Sequence, residues 1–279
     1  LIVPAYFTQN SAIQNTIIAF LNAVYMSLAI FPIYLLCKEI KLSTRHTICI
    51  LLIFMVFSYL TYTMTFMSEV AYFPILLFAI YIIFKIYTLV DYKKKQKYSL
   101  ILGIVLFTLY LCKEIGLAVL LAYLLVETYD IVYLDKNKFQ CLKLLLITLG
   151  IFIILFIGTK YFFFNNMGNS YNSQIGLSIL ESPYNILYIM YSVFYYCTCI
   201  IIAMCFFPII IPIVKYRSYN RQTQKFAIFI FATIIIDILV IAYTISVRED
   251  LGNIAPRQHL RYIYPMLLPL LSLSFDSIE

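Results

Sequence analysis

The sequence predicts an all-α protein, a polytopic bundle of transmembrane helices. Of its 279 residues, 63% are hydrophobic and only 12% are charged, and the mean hydropathy is +0.94. Long apolar stretches alternate with short loops, and Lys and Arg crowd into every second loop. An apolar stretch of about 20 residues crosses a roughly 30 Å hydrocarbon core as a helix. The composition therefore excludes a water-soluble domain.

Nine spans follow one another along the chain, each predicted from a run of apolar residues. The fourth and the ninth are short for a full crossing, which predicts that one of them is tilted, re-entrant or cut off. We treat residues 1–279 as a single transmembrane domain. The spans lie near residues 13–37, 47–66, 70–90, 98–112, 115–134, 142–164, 184–214, 226–247 and 262–275.

Basic residues orient the predicted bundle. The positive-inside rule places the basic connections in the cytoplasm, so the intervening loops and the amino terminus of this chain lie outside a cytoplasmic membrane. The net charge of +7 is then explained by basic loops that are retained on the cytoplasmic side, and it does not indicate a nucleic-acid partner. Fourteen of the 20 basic residues fall in the first, third, fifth and seventh connections: Lys38, Lys41, Arg45, Lys93, Lys94, Lys95, Lys97, Lys136, Lys138, Lys143, Lys215, Arg217, Arg221 and Lys225.

An outside amino terminus needs a preceding helix or a cleaved signal to bring it there. Residues 1–12 have neither the basic start nor the apolar core of a signal peptide. We therefore expect one further span and its outer loop upstream of Leu1.

The outer loops hold the candidate chemical groups. A carboxylate can accept a proton from a nucleophile or hold a divalent cation, and Lys or Arg can bind a phosphate. Both kinds would be needed by an enzyme acting on a phosphorylated lipid. No metal site is predicted from the scattered cysteines. The outer groups are Glu69, Lys113, Glu114, Glu181, Arg248, Glu249, Asp250, Arg257, His259 and Arg261.

Several of these groups also have ordinary explanations. Glu69 opens the third span and sits favourably in the positive first turn of that helix. Lys113 and Glu114 fill a short turn as a solvated charge pair would. Arg261 and Tyr262 stand where the last span begins, as interfacial anchors do. Function and these alternatives remain open at this point.

Three carboxylates lie within predicted spans. Asp237 is near the middle of an apolar span, where it marks either a proton relay or an internal polar contact, and we favour the contact. Glu127 and Asp130 are three residues apart near the cytoplasmic end of the fifth span. Solvation at the interface is the simple account of that pair.

The segment RYIYPMLLPL, residues 261–270, resembles the Arg-Tyr and proline-rich segment of GT-C membrane glycosyltransferases. MSEVAYFPILLFAIYIIFKIY resembles their helix start with an acidic residue after an outer loop, and LYLCKEIGLAVLL resembles their tight outer turn with a Lys. The opening run AFLNAVYMSLAIFPIYLLCKEI has the same character. The resemblance covers most of the chain. Among the GT-C enzymes, the chain resembles those that use a polyprenyl-phosphate sugar as donor, such as protein mannosyltransferases and aminoarabinose transferases.

The resemblance implies inverting transfer of a hexose or pentose from a polyprenyl-phosphate carrier to a glycan, lipid or protein acceptor at the outer face. Glu69 would lie near the donor or an optional divalent metal, and Glu114 would be a second catalytic candidate. Lys113 and Arg261 would contact the lipid phosphate, Tyr262 would frame the groove, and His259 is a candidate by proximity. Such enzymes usually hold their catalytic Asp or Glu in the first outer loop, which we expect upstream.

Other classes of function share these features. A transporter or flippase of lipid-linked sugars needs polar groups along a path through the spans, and Asp237 meets that need. A polysaccharide polymerase or ligase, or a non-enzymatic membrane subunit, would carry similar outer loops. Loss of activity in Asp237→Asn but not in Arg261→Ala favours transport, and the reverse favours transfer.

Overall fold

The structure, a computed structural model, describes residues 11–56, 69–134, 138–162, 183–203, 206–246 and 262–276. Every regular element within these ranges is helical, which confirms the all-α prediction. One of these elements is a π-helical turn, Asp130–Leu134. The α-helices are α1 Ser11–Ser27, α2 Ile30–Ile40, α3 Thr44–Val56, α4 Glu69–Thr88, α5 Tyr92–Cys112, α6 Leu117–Tyr129, α7 Lys138–Phe162, α8 Pro183–Ala203, α9 Phe207–Val214, α10 Arg221–Ser246 and α11 Tyr264–Asp276.

Seven helical stretches in the described ranges are long and apolar enough to cross a membrane. They correspond to seven of the nine predicted spans and agree with a multi-pass membrane protein. In the second predicted span, α3 is an apolar helix of 13 residues, and the residues after Val56 lie outside the described part. In the ninth, α11 has 13 residues. The seven stretches are Ala12–Ile40, Val70–Thr88, Tyr92–Cys112, Glu114–Tyr133, Lys138–Phe162, Ile186–Ala203 and Arg221–Tyr243.

The prediction of a short fourth span was wrong, because α5 is 21 residues long and begins at Tyr92. The lysines assigned to the preceding loop lie in its first two turns. Asp91 caps the helix by accepting a hydrogen bond from the Lys93 backbone N–H at 2.9 Å. Long lysine side chains reach water from such positions, so the helix can start in a charged segment.

The seventh predicted span, 184–214, is broken into α8 and α9. Phe206, between them, has a φ of 64°, and α9 begins with Phe207 followed by Pro208. A proline has no backbone N–H and its ring clashes with the preceding turn, so an uninterrupted helix through this point is disfavoured. Two helices therefore replace the single span expected.

Helix α4 lies at the centre of the bundle, packed against α1, α2, α5, α10 and α11. Its side chains are apolar on nearly every face, and Tyr72, Phe73, Leu76 and Ile80 have no exposed surface. A helix that is apolar all round is expected to be buried.

Helices α5 and α7 pack closely because α5 carries a glycine at the contact. A Cβ atom on Gly103 would lie 2.7 Å from the Thr148 carbonyl oxygen and 2.8 Å from the Ile151 Cβ. The Thr148 hydroxyl donates a hydrogen bond to the Ser99 carbonyl across the same contact, at 3.2 Å. Small residues that let two backbones approach are typical of helix contacts in membranes.

Contacts between helix termini define two ends of the bundle. At the first, which we call the basic end, α2 and α4 end while α5, α7 and α10 begin. Lys85 near the end of α4 binds Glu39 near the end of α2, and Lys138 at the start of α7 donates to the Val132 carbonyl. The second, which we call the Lys113 end, contains the end of α5 and the residues before α11.

Candidate functional site

Two of the predicted substrate-binding residues meet at the Lys113 end. The ammonium of Lys113 lies 5.0 Å from the centroid of the Tyr262 ring, within the range of a cation–π contact. Tyr262 is buried, with 8% of its surface exposed, and stands two residues before α11. The contact joins the α5–α6 turn to the start of α11, two segments far apart in the sequence.

The backbone of the α5–α6 turn fixes the position of Lys113. Its N–H donates to the Leu109 carbonyl at 3.0 Å, and its own carbonyl accepts from the Gly116 N–H at 2.9 Å. A Cβ on Gly116 would lie 2.9 Å from the Leu109 Cγ and 3.1 Å from the Leu109 carbonyl oxygen. The turn is therefore tight, and glycine is the residue that fits it. Glu114 follows Lys113 and is half-buried.

The remaining predicted site residues are described only in part or not at all. Glu69 is the first described residue of α4, and its side chain lies outside the described part. Helix α4 ends at the basic end, where Lys85 binds Glu39, so its start lies at the opposite end of the bundle. His259 and Arg261 lie outside the described residues. The roles assigned to all six residues stay predictions.

A group of four charged side chains, two of them buried carboxylates, lies at the basic end and was not predicted from the sequence. The ammonium of Lys225 on α10 lies 2.9 Å from Glu127 Oε1 and 2.8 Å from Asp130 Oδ2. Arg221, one turn earlier on α10, donates to Asp130 Oδ1 at 2.9 Å. We call these four residues the ionic cluster. Solvation at the interface is therefore the wrong account of Glu127 and Asp130, which are only 5% and 7% exposed.

Spacing is the signal that could have revealed the ionic cluster. Residues three or four positions apart share a helix face. Glu127 and Asp130 are three positions apart, and Arg221 and Lys225 are four apart, so each pair lies on one face. The ammonium of Lys225 also lies 4.5 Å from the centroid of the Tyr87 ring on α4. The cluster thus ties α4, α6 and α10 together. Because each carboxylate has a cation beside it, we interpret the cluster as a structural tie.

Asp237 is the third intramembrane carboxylate, and it has a different environment. Its side chain is fully buried, and neither carboxyl oxygen has a hydrogen-bond partner among the described residues. One turn earlier, the Thr233 hydroxyl donates to the Phe229 carbonyl at 2.8 Å and is satisfied there. The internal polar contact that we favoured from the sequence is therefore absent from the described part of the chain.

The fold and these charged groups define a multi-pass, all-helical membrane protein. In a comparison with solved structures, the chain is similar to the Archaeoglobus fulgidus oligosaccharyltransferase in complex with Zn and sulfate, with 15% sequence identity and a TM-score of 0.40. The match covers 98% of this chain and 42% of that chain, so this chain spans less than half the length of that structure. Comparisons with protein-family models and with curated proteins gave no match.

Proposed function

We propose that this chain belongs to an integral membrane glycosyltransferase that moves a sugar from a polyprenyl-phosphate donor to an acceptor at the outer face of the cytoplasmic membrane. The observation that carries the proposal is the contact between Lys113 and Tyr262. Each residue lies in a segment that resembles GT-C glycosyltransferases, and the two segments meet at the end of the bundle opposite the basic end.

The chemistry of the Lys113 end suits a phosphate leaving group. When an acceptor hydroxyl attacks the anomeric carbon, the bond to the phosphate oxygen breaks and negative charge grows on the lipid phosphate. The Lys113 ammonium would stabilise that charge, and we propose Arg261 as a bidentate donor to the same phosphate. The buried Tyr262 ring would hold the ammonium in place and form a wall of the groove.

The acceptor hydroxyl also has to lose its proton. Glu69 and Glu114 are the carboxylates that we propose near the donor, and either one could accept this proton as a general base. Attack from the face opposite the phosphate would invert the anomeric carbon. Among the described residues, no group of three or more His, Cys, Asp or Glu side chains could hold a metal ion, and the proposal assigns no step to one.

Sugar transfer in reconstituted vesicles tests the proposal. The purified chain is supplied with polyprenyl-phosphate-linked radiolabelled hexoses or pentoses, and released polyprenyl phosphate is measured together with labelled product. We expect Lys113→Ala to lower kcat/KM by about 10- to 100-fold, because a hydrogen bond to a charged group contributes about 1.5–3 kcal/mol. Arg261→Ala is expected to have a similar effect.

Lys160→Ala is the matched control for the Lys113 variant. Lys160 is an exposed lysine in the last turn of α7, at the same end of the bundle as Lys113. Its loss is expected to leave kcat/KM unchanged. Equal effects of the two substitutions, or no transfer from any of these donors, would contradict the proposal.

Transport of lipid-linked sugars is the second candidate function, favoured by the buried carboxyl of Asp237. A flippase would move the labelled lipid between the two leaflets without releasing polyprenyl phosphate. Asp237→Asn would then abolish movement while Arg261→Ala would have a mild effect, the reverse of the expectation for a transferase. A polymerase or ligase of surface polysaccharide would transfer long chains, which gel electrophoresis of the product distinguishes from single sugars.

A further inference from the structure

Asp237 lies deep within the bundle. Counted along α10, it stands 12 residues beyond Lys225, whose ammonium belongs to the ionic cluster at the basic end. At 1.5 Å per residue this is about 18 Å along the helix axis, near the middle of a hydrocarbon core of roughly 30 Å. Its neighbours on the same helix face, Ile230, Thr233 and Ile241, are buried.

The helices packed against α10 provide no countercharge for this carboxyl within the described residues. Those helices are α4, α6, α8 and α11. Lys85 is the sole Lys or Arg in their described ranges, and it binds Glu39 at the basic end. On α10 itself, Arg221 and Lys225 both bind Asp130. The other titratable groups on the packed helices are tyrosines, cysteines and acids, and among the described residues none hydrogen-bonds Asp237.

An ionised carboxylate in these surroundings would be very unfavourable. A buried charge is tolerated when it is paired and hydrogen-bonded, and otherwise the group neutralises. A metal cation is a poor neutralising partner here, because Mg²⁺ or Ca²⁺ requires six or more oxygen ligands. Asp237 offers one carboxyl group, and the neighbouring Thr233 hydroxyl on the same helix face already donates to the Phe229 carbonyl. A proton needs only that carboxyl.

We propose that Asp237 is an intramembrane proton-binding site, a carboxylic acid that keeps its proton at neutral pH inside the bundle. Glu127 provides the contrast within the same chain. It is also buried, but its carboxylate lies 2.9 Å from the ammonium of Lys225, and among the described residues Asp237 has no such countercharge. The proposal is independent of the glycosyltransferase function, since it depends only on the surroundings of Asp237.

Infrared difference spectroscopy tests the proposal directly. The purified chain and its Asp237→Asn and Glu127→Gln variants are compared in lipid vesicles at neutral pH. We expect the wild-type minus Asp237→Asn spectrum to contain the C=O stretch of a protonated carboxylic acid. The wild-type minus Glu127→Gln spectrum should contain carboxylate bands. Carboxylate bands in the first spectrum would overturn the proposal, because they would mean that Asp237 is ionised.

Labelling with dicyclohexylcarbodiimide provides a second test on the unmodified chain, so it does not depend on a variant that folds. This apolar reagent takes up the acid proton while the carboxylate oxygen adds to its central carbon, and the adduct rearranges to an N-acylurea with no leaving group. Peptide mass spectrometry should find the adduct on Asp237 and not on Glu127. In Lys225→Gln, Glu127 should become reactive as well. Labelling of Glu127 but not Asp237 in the wild type would overturn the proposal.

Discussion

The ammonium of Lys225 lies 2.9 Å from the carboxylate of Glu127, and only 16% of the Lys225 side chain and 7% of the Glu127 side chain are exposed. The same ammonium binds Asp130, so one cation serves two carboxylates. Desolvation of such groups opposes folding, and their mutual attraction must offset it. The pair should therefore be sensitive to the loss of one partner.

Lys225→Met is expected to destabilise the bundle strongly. Removing one partner of a buried ion pair costs about 3–5 kcal/mol, because the remaining charge is left uncompensated. The double variant with Glu127→Gln should regain part of the stability. Thermal unfolding in detergent measures both. Arg221→Met is the control, since the Arg221 side chain is 55% exposed, and it should lose no more than about 1 kcal/mol. Equal losses for Lys225→Met and Arg221→Met would contradict the expectation.

Gly103→Ala should separate α5 from α7. The added methyl group would meet the Thr148 carbonyl at 2.7 Å, and overpacking of this kind typically costs about 1–3 kcal/mol. Gly150→Ala is the matched control on α7, because a Cβ at that position meets nothing within 4 Å. The Tm of the two variants in detergent gives the comparison. If Gly150→Ala lowers the Tm as much as Gly103→Ala does, close packing at Gly103 is not the cause.

Lys85→Met should weaken the contact between α2 and α4 by a smaller amount. Lys85 binds Glu39, which also accepts a hydrogen bond from the Thr88 hydroxyl at 2.7 Å. The two charged side chains are 24% and 22% exposed, so we expect a loss of about 1 kcal/mol, well below that of Lys225→Met. Lys38→Met removes an exposed lysine beside Glu39 and should leave the Tm unchanged. If Lys85→Met loses as much stability as Lys225→Met, the exposure of an ion pair does not determine how much stability is lost with it.

The orientation of the chain is a prediction that cysteine labelling can check. In a cysteine-free background, Lys94→Cys near the start of α5 and Lys160→Cys near the end of α7 lie at opposite ends of the bundle. An impermeant maleimide added to intact cells should label Lys160→Cys and spare Lys94→Cys until the membrane is opened. The opposite pattern would reverse the assignment of the basic end to the cytoplasm, and labelling of both would contradict the topology.

Hydropathy located the spans well because membrane insertion depends on the apolar character of a segment, which hydropathy measures. It misjudged the start of α5, since the lysines of the first turns lower the local average although the helix begins at Tyr92. It also failed to divide α8 from α9, because the residues around Phe206 are as apolar as those of the helices. Helix ends depend on caps and backbone angles, which an average over side chains does not contain.

Pairings between distant segments were the harder problem. Lys113 and Tyr262 were both candidate residues, but nothing in the sequence required the ammonium to lie over the ring. Glu127 was assigned to the interface because its partner, Lys225, lies on another helix. An apolar stripe indicates that a helix face is buried, but it does not indicate which neighbouring helix covers that face. Such contacts follow from the packing of the whole bundle.

The ionic cluster also has a consequence for synthesis of the chain. Asp130 precedes Lys225 by 95 residues. At a translation rate of about 5–20 residues per second, the two carboxylates leave the ribosome roughly 5 to 20 s before their shared cation. During this interval Glu127 and Asp130 must stay hydrated at the membrane surface or be shielded by the insertion machinery. A nascent chain arrested before α10 would expose that acidic pair, a feature by which cellular quality control could recognise an unfinished molecule.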